Sequence, residues 1–493
     1  MQPTLFLKRT VFLLSLTLLM QAGMAQIDYT IFDLSNEFTN TQTDARAIYP
    51  AGDGGYFIFG NIGDEFMSDT SKVYIMKKNA VGFTEWITVS GDDDEMNYCY
   101  NILQTEQQGY VMVGYHKEGT AFSDPINPMI AVYDEEGNQE YLMYHAWEWD
   151  DDAQDVVTDL AGDGFVIIGS TQSYGAGSPS NYNIYMMKTD ASGNEVTKTV
   201  LDGGYDDFGY AVTHGVGGGY FFAGAYESGE SLRDIYLIRT DEDLEVTWTK
   251  LIDGTGYDYP YAVVRTNDNC YLVAGQTSSF SSSNDAFLLK VDDAGEVLWH
   301  KAYGGDQNDY AFDVVVTQDN HYMVCGRSRS YSSESQIFLL KTDSGGNELW
   351  TEIIPHGIGS AATFIDEVEP NQYLLAGYFE NDDEEYKALA VDVTDLSIGI
   401  GTHSDEPGQI GLSCFPNPAQ DHATITFNLR NREEADLQIL DLVGNHVLTL
   451  FHGIANRGAQ AVTFSTSELP AGIYVAVLRA KTGHRACRLV VIH

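Results

Sequence analysis

The chain is short of positive charge, of cysteine and of long apolar runs, and each shortage closes off a class of function. Its 493 residues carry 26 Lys+Arg against 72 Asp+Glu, a formal net charge of −46. A surface that negative argues against nucleic acid and against anionic membranes as partners. The shortage is local: residues 26–412 hold 17 basic and 66 acidic side chains, whereas 413–493 hold seven and six. The acidity suits a soluble extracellular protein with a solvated surface. Five cysteines, an odd number, leave at least one without an intramolecular disulfide partner, and none stands in Cys-x-x-Cys or zinc-binding spacing. Beyond the first 25 residues no apolar stretch approaches the about 18 residues of a membrane-spanning helix. Catalytic signatures are also missing. There is no Gly-x-Ser-x-Gly, no His-Glu-x-x-His, no phosphate-binding glycine loop and no EF-hand loop, and the twelve histidines are scattered.

What is present is a repeat. A segment of the form Tyr/Phe-x-x-x-Gly returns at Tyr56, Tyr110, Phe165, Tyr220, Tyr271, Tyr322 and Tyr373, with gaps of 54, 55, 55, 51, 51 and 51 residues. A period near 50 with strand-like segments inside each unit predicts a β-propeller. The unit from Asp309 to Glu352 reads as four short strands separated by turns rich in Gly, Asn and Asp. Tryptophan recurs in the fourth strand at Trp86, Trp248, Trp299 and Trp350, where a large flat ring would pack between blades. The seventh unit lacks a fourth strand, and the segment Asp28–Leu34 is a spare one. The expectation is an all-β chain: a seven-bladed β-propeller of four-stranded blades over 26–394, closed by the N-terminal strand so that no sheet edge stays open.

Both ends depart from the repeat. Residues 1–25 combine Lys8 and Arg9, an apolar run of about ten and small residues at Gly23-Met24-Ala25, the pattern of a secretory signal peptide. Residues 395–412 read as a linker. Residues 413–493 alternate as strands and predict a small C-terminal β-sandwich. This module carries Pro416-Asn417-Pro418-Ala419, the hairpin ending at Gly444, and Leu469-Pro470-Ala471-Gly472-Ile473-Tyr474. With Pro416, Asn417, Pro418, Gly444, Pro470, Gly472 and Tyr474 in this order, it resembles the C-terminal sorting domain of the type IX (Por) secretion system of Bacteroidetes. The resemblance implies recognition by the type IX secretion machinery and passage across the outer membrane. Release or attachment at the cell surface would follow. The repeats are in turn similar to those of secreted Bacteroidetes propeller proteins.

Cys99, Cys270 and Cys325 fall in or beside strands and read as small buried apolar residues. Cys414 and Cys487 flank the first and last strands of the tail module, where a disulfide is an open alternative.

Two candidate sites stand on the loops that enter each blade. Asp151, Asp207, Asp258 and Asp309 occupy one repeated position, with Asn97 as the counterpart in the second unit. As a carboxylate ring they would bind calcium, which takes six to eight oxygens, or a polyhydroxylated ligand. As loop caps they would accept backbone N–H bonds. Repetition favours the caps, because sites break symmetry. The second candidate occurs once: Trp147 and Trp149 beside Asp150 and Asp152. Rings for stacking next to carboxylates for hydrogen bonding suit a sugar, and packing between blades is the competing role. No cofactor other than calcium is implied. The leading expectation is a non-catalytic propeller, secreted or at the cell surface, that recognises an extracellular glycan or protein. The alternatives are a carbohydrate-active hydrolase or lyase and a structural surface component or adhesin.

Overall fold

A computed structural model of the chain describes residues 27–395 except 39–40, 64–70, 80–81, 92–94, 106–108, 120, 122, 176–179, 228–231, 253 and 282. Beyond them it describes 411–415, 422–429, 431–440, 446–467, 469–470, 472–480 and 483–491. The expected signal peptide, most of the linker, and Pro416, Asn417, Pro418 and Gly444 lie outside the described residues, as do the side chains of Cys414 and Cys487. All regular structure among the described residues is strand, and among them no helix is long and apolar enough to cross a membrane. The chain divides into two compact units at Thr394/Asp395.

The first unit contains seven four-stranded sheets among the described residues, antiparallel wherever register is defined. The first sheet runs Gln42–Pro50, Tyr56–Gly63, Lys72–Lys78 and Thr84–Ser90. The next five occupy 95–144, 155–201, 208–252, 258–303 and 309–354. The seventh takes Gly359–Glu369, Gln372–Glu380 and Tyr386–Asp395 from one end of the unit and Ile27–Asp33 from the other. In hydrogen-bonding order the N-terminal strand follows Tyr386–Asp395 and fills the fourth place.

Strand composition follows strand position. Second and third strands such as Tyr271–Thr277 and Asp285–Val291 are buried at every residue, which is why their middles read as apolar runs, Leu272–Ala274 and Ala286–Leu289. Fourth strands such as Val246–Ile252 alternate between partly buried and exposed. Core clusters join neighbouring sheets: Leu272, Ala274 and Leu288 of the fifth pack with Val314, Phe338 and Leu340 of the sixth. The fourth-strand tryptophans cross the same boundaries. Trp248 lies against the hairpin glycine Gly295 of the next sheet, and Trp299 against Gly346. Both glycines have positive φ, 78° and 72°, and a Cβ on either would meet the indole at 2.8 Å or less. Burying a large apolar side chain in this way stabilises by roughly 1.5–3 kcal/mol.

The repeated glycine has a separate cause. In six of the sheets the first strand carries an extra residue opposite the second strand: Arg46, Tyr100, Tyr210, Tyr261, Phe312 and Thr363. Such a bulge bends the strand and re-aims a side chain. It also pushes a first-strand carbonyl down onto the second strand. A Cβ on Gly275 would lie 1.9 Å from the Tyr259 oxygen, and one on Gly326 1.8 Å from the Tyr310 oxygen. The glycine of the Tyr/Phe-x-x-x-Gly motif is the room this bulge requires.

The second unit has a three-stranded sheet (Gly411–Phe415, His422–Leu429, Gly458–Ser465) and a four-stranded one (His446–Ala455, Glu433–Leu440, Gly472–Ala480, Gly483–Val491). Ile425 and Phe427 of the first share a buried cluster with Leu437, Ile439 and Leu478 of the second. Tyr474 is buried and its hydroxyl donates to the Pro470 carbonyl at 2.9 Å, so the motif residues Pro470, Gly472 and Tyr474 form one tight entry to a strand.

Candidate functional site

The loops entering each sheet from the previous one are joined to the loops between second and third strands of the same sheet. Trp149 N–H donates to Ser173 Oγ, Tyr257 N–H to Ser278 Oγ, and Gly305 N–H to Ser330 Oγ, at 2.7–3.0 Å. These loops therefore make one end of each sheet. Large apolar side chains exposed on them are Trp149, Tyr174, Tyr205, Tyr257, Tyr331 and Ile358.

The repeated aspartates sit just inside this end, and each is engaged within its own sheet. Asp151 accepts from Ser173 N–H and Oγ–H. Asp207 accepts from Gly203 and Glu227 N–H. Asp258 takes the hydroxyls of Thr277 and Ser279; Asp309 takes those of Ser328 and Ser330 and the N–H of Gly305. All four are at most 2% exposed. Burial raises the Asp151 carboxyl and pushes that of Asp207 to about 6. Asn97 holds the same place and contacts His116 Nδ1 at 3.0 Å. Among the described residues no three His, Cys, Asp or Glu groups converge to hold a metal ion.

The two tryptophans part company. Trp147 meets Tyr174 and Tyr185 edge-on, with ring centroids 5.1 and 5.0 Å away, and Lys198 Nζ lies 4.0 Å over it. Trp149 is 43% exposed. Asp150 accepts from Ile126 N–H at 3.1 Å. Asp152 accepts from Ser170 N–H and Gln154 Nε2, and burial pushes its carboxyl to about 6. Cys99, Cys270 and Cys325 are free and buried.

Sequence reading missed the bulge residues. Tyr210 lies 5.9 Å from Tyr261, and Tyr261 lies 5.6 Å from Phe312, between ring centroids. With Tyr259 and Tyr310 stacked on their own-sheet neighbours, they run as one chain of rings across three sheets. Tyr98, Tyr100 and Tyr115 make a second group, 5.3–5.6 Å apart. Half of the six arginines of this unit lie over these rings: Arg46 over Tyr98, Arg233 over Phe208 and Tyr259, Arg327 over Tyr310 and Phe312. The signal was present in the sequence: an aromatic three residues after the repeated Asp or Asn at Tyr100, Tyr210, Tyr261 and Phe312.

Below the rings, two carboxyls join sheets. Asp155 accepts from Val156 N–H and Asn101 Nδ2 on one oxygen and from Val212 N–H of the next sheet on the other. Asp313 accepts from Val314 N–H and, across the next boundary, Ile365 N–H. Burial pushes both to about 7.

Comparison with known proteins bears on the tail first. Residues 413–492 match the family of the secretion system C-terminal sorting domain, so the chain carries a type IX sorting tail. That tail marks the chain as cargo secreted to the cell surface and read by the type IX machinery. No curated protein matches the chain. Among solved structures it is similar to PorZ, an essential bacterial surface component of the type-IX secretion system of Porphyromonas gingivalis. That match has 12% identity over 91% of this chain and 70% of that one, with TM-score 0.37. It is similar to Drosophila Semaphorin 2a at 9% identity, over 92% and 97%, with TM-score 0.43. A puromycin hydrolase matches at 9% identity over 69% and 60%, with TM-score 0.33. Likenesses this loose carry no argument about what the chain does.

Proposed function

We propose that residues 27–395 close into a seven-bladed propeller that recognises a glycan or protein outside the cell and does not catalyse a reaction. Closure draws support from the seventh sheet, completed by Ile27–Asp33. It draws more from the seam with the first sheet, where Lys387 Nζ donates to Thr41 O at 2.6 Å and Ala388 N–H to Thr43 Oγ1 at 2.9 Å. Residues 1–25 would direct export to the periplasm, and the two tail sheets would close as a sandwich. The observation that carries the recognition reading is the gathering of exposed aromatics on the loop end, above a further layer of rings. Exposed aromatic faces with Ser, Asn and backbone donors beside them are what a sugar or a protein loop needs for stacking and orientation.

Two raised carboxyls are held by the backbone. Asp155 and Asp313 have the raised values of a general acid, yet backbone N–H groups of two sheets hold their oxygens. The test is a glycan-array screen of the secreted protein, with calcium and then with chelator, checking hits for breakdown products. Binding without turnover, weakened by W149A at unchanged melting temperature, is expected. Turnover would replace this reading with the enzymatic one, and silence across the array would leave a protein ligand or a structural role.

A further inference from the structure

Arg327 differs from six other cations of this unit. Lys77, Lys78, Lys188, Arg233, Arg239 and Lys290 each face a carboxylate at 2.6–3.5 Å. The Arg327 Nε is enclosed and has no hydrogen-bond partner in the protein. The guanidinium instead lies on rings, with its carbon 4.4 Å from the Tyr310 centroid and 5.7 Å from that of Phe312. Among the 66 acidic side chains of residues 26–412 a carboxylate partner was readily available. An enclosed donor left without an acceptor is destabilising, by roughly 1–3 kcal/mol, so its retention calls for a role.

Its place supplies one. Arg327 is the register partner of Tyr310 and directly precedes Ser328, which holds Asp309 at the loop end. Its charge reaches the phenols of Tyr261 in the fifth sheet and Tyr386 in the seventh. The arginine thus stands where three sheets present aromatic rings, just beneath the end proposed to meet ligand. Rings hold the planar fork in one orientation, and a guanidinium is weakly hydrated, so little is lost when an oxyanion takes it in two parallel hydrogen bonds. One strand position nearer the loop end, the Asp309 carboxylate is engaged by the Ser328 and Ser330 hydroxyls and the Gly305 N–H. Exposed carboxylates farther than about 8 Å are screened at physiological salt.

We propose that Arg327 receives the anionic group of an acidic saccharide, a uronate carboxylate or a sulfate ester, with a sugar ring against Tyr261 and Phe312. This rests on the recognition reading above and gives it a ligand class. The experiment measures binding of the full secreted chain by calorimetry to paired probes. The pairs are oligogalacturonate against its methyl ester and sulfated galactan oligosaccharide against its desulfated form, with poly-glutamate as the peptide anion. The anionic member of one pair should bind about tenfold tighter or more, and which pair shows it separates carboxylate from sulfate. R327Q should bring the two members level, and R327K should keep part of the preference. R327K also carries the test if R327Q fails to fold, since it keeps the charge and loses the fork. Equal binding of both members by the unaltered protein, or preference intact in R327Q, overturns the proposal and leaves recognition standing. Tighter binding of poly-glutamate than of any saccharide overturns the ligand class. No saccharide bound in either form removes this proposal and the glycan reading together.

Discussion

The carbonyl oxygen of Tyr310 fills the space that a Cβ on Gly326 would need, 1.8 Å away. That contact ties the most visible sequence feature, a glycine repeated every fifty-odd residues, to the bulge that presents Phe312. The obstacle is backbone, so relief requires the strands to separate. G326A should destabilise by about 3 kcal/mol, read as a lower denaturant midpoint. G52A is the control: nothing lies within 4 Å of a Cβ there, and its midpoint should hold. Equal behaviour of the two variants would count against the bulge as the reason for the motif.

Stability should fall as pH rises from about 4 to about 7. Burial raises Asp155 and Asp313 to about 7 and Asp152 and Asp207 to about 6, whereas an unfolded aspartate titrates near 3.9. The folded chain therefore holds more protons across that window. The stabilisation is complete below the unfolded value and is lost as pH passes the folded one. The melting temperature should drop by about 1–3 °C between pH 5 and pH 8. The double variant D155N/D313N should show a flatter dependence, whatever it costs at pH 5. A melting temperature that climbs over the same interval would contradict the assignment.

Loop capping and calcium binding separate at Asp309. Its carboxylate is wholly buried and holds two hydroxyls and one N–H. D309A strands those donors and should cost about 2–3 kcal/mol, while chelator leaves the melting temperature of the unaltered chain where it was. A calcium-dependent rise in melting temperature, lost in D309A, would make Asp151, Asp207, Asp258 and Asp309 a metal ring instead.

Export should depend on the tail. A chain lacking residues 413–493 should accumulate in the periplasm of its native host, followed by fractionation and immunoblot. Undiminished arrival outside the cell would remove the sorting role from a module that the family match otherwise supports.

The candidate site was only partly legible before the fold was known. The loop end was, because turn residues and lone aromatics such as Trp149 stand out in sequence. Trp147 looked like its twin, yet one ring is packed against Tyr174 and Tyr185 and the other meets solvent. Two residues of separation do not say which neighbour a side chain finds. Arg327 gave no signal, since a basic residue beside a serine loop reads as an ordinary surface charge.

The sequence by itself determined the period, the four strands per unit, the acidic unit and the export tail. Each of these is local chemistry: strand alternation, turn residues, charge, and a contiguous motif. Only the tertiary structure decided that Arg46, Tyr100, Tyr210, Tyr261 and Phe312 are bulge residues of equivalent first strands, and that Asp155 and Asp313 bond to the next sheet. The pairing of Ile27–Asp33 with Tyr386–Asp395, expected from the unit that lacks a fourth strand, is realised in the same fold. Those relations join residues some fifty to more than three hundred positions apart. They exist because sheets bury their faces against neighbours, and which side chains then meet is set by packing across the boundary.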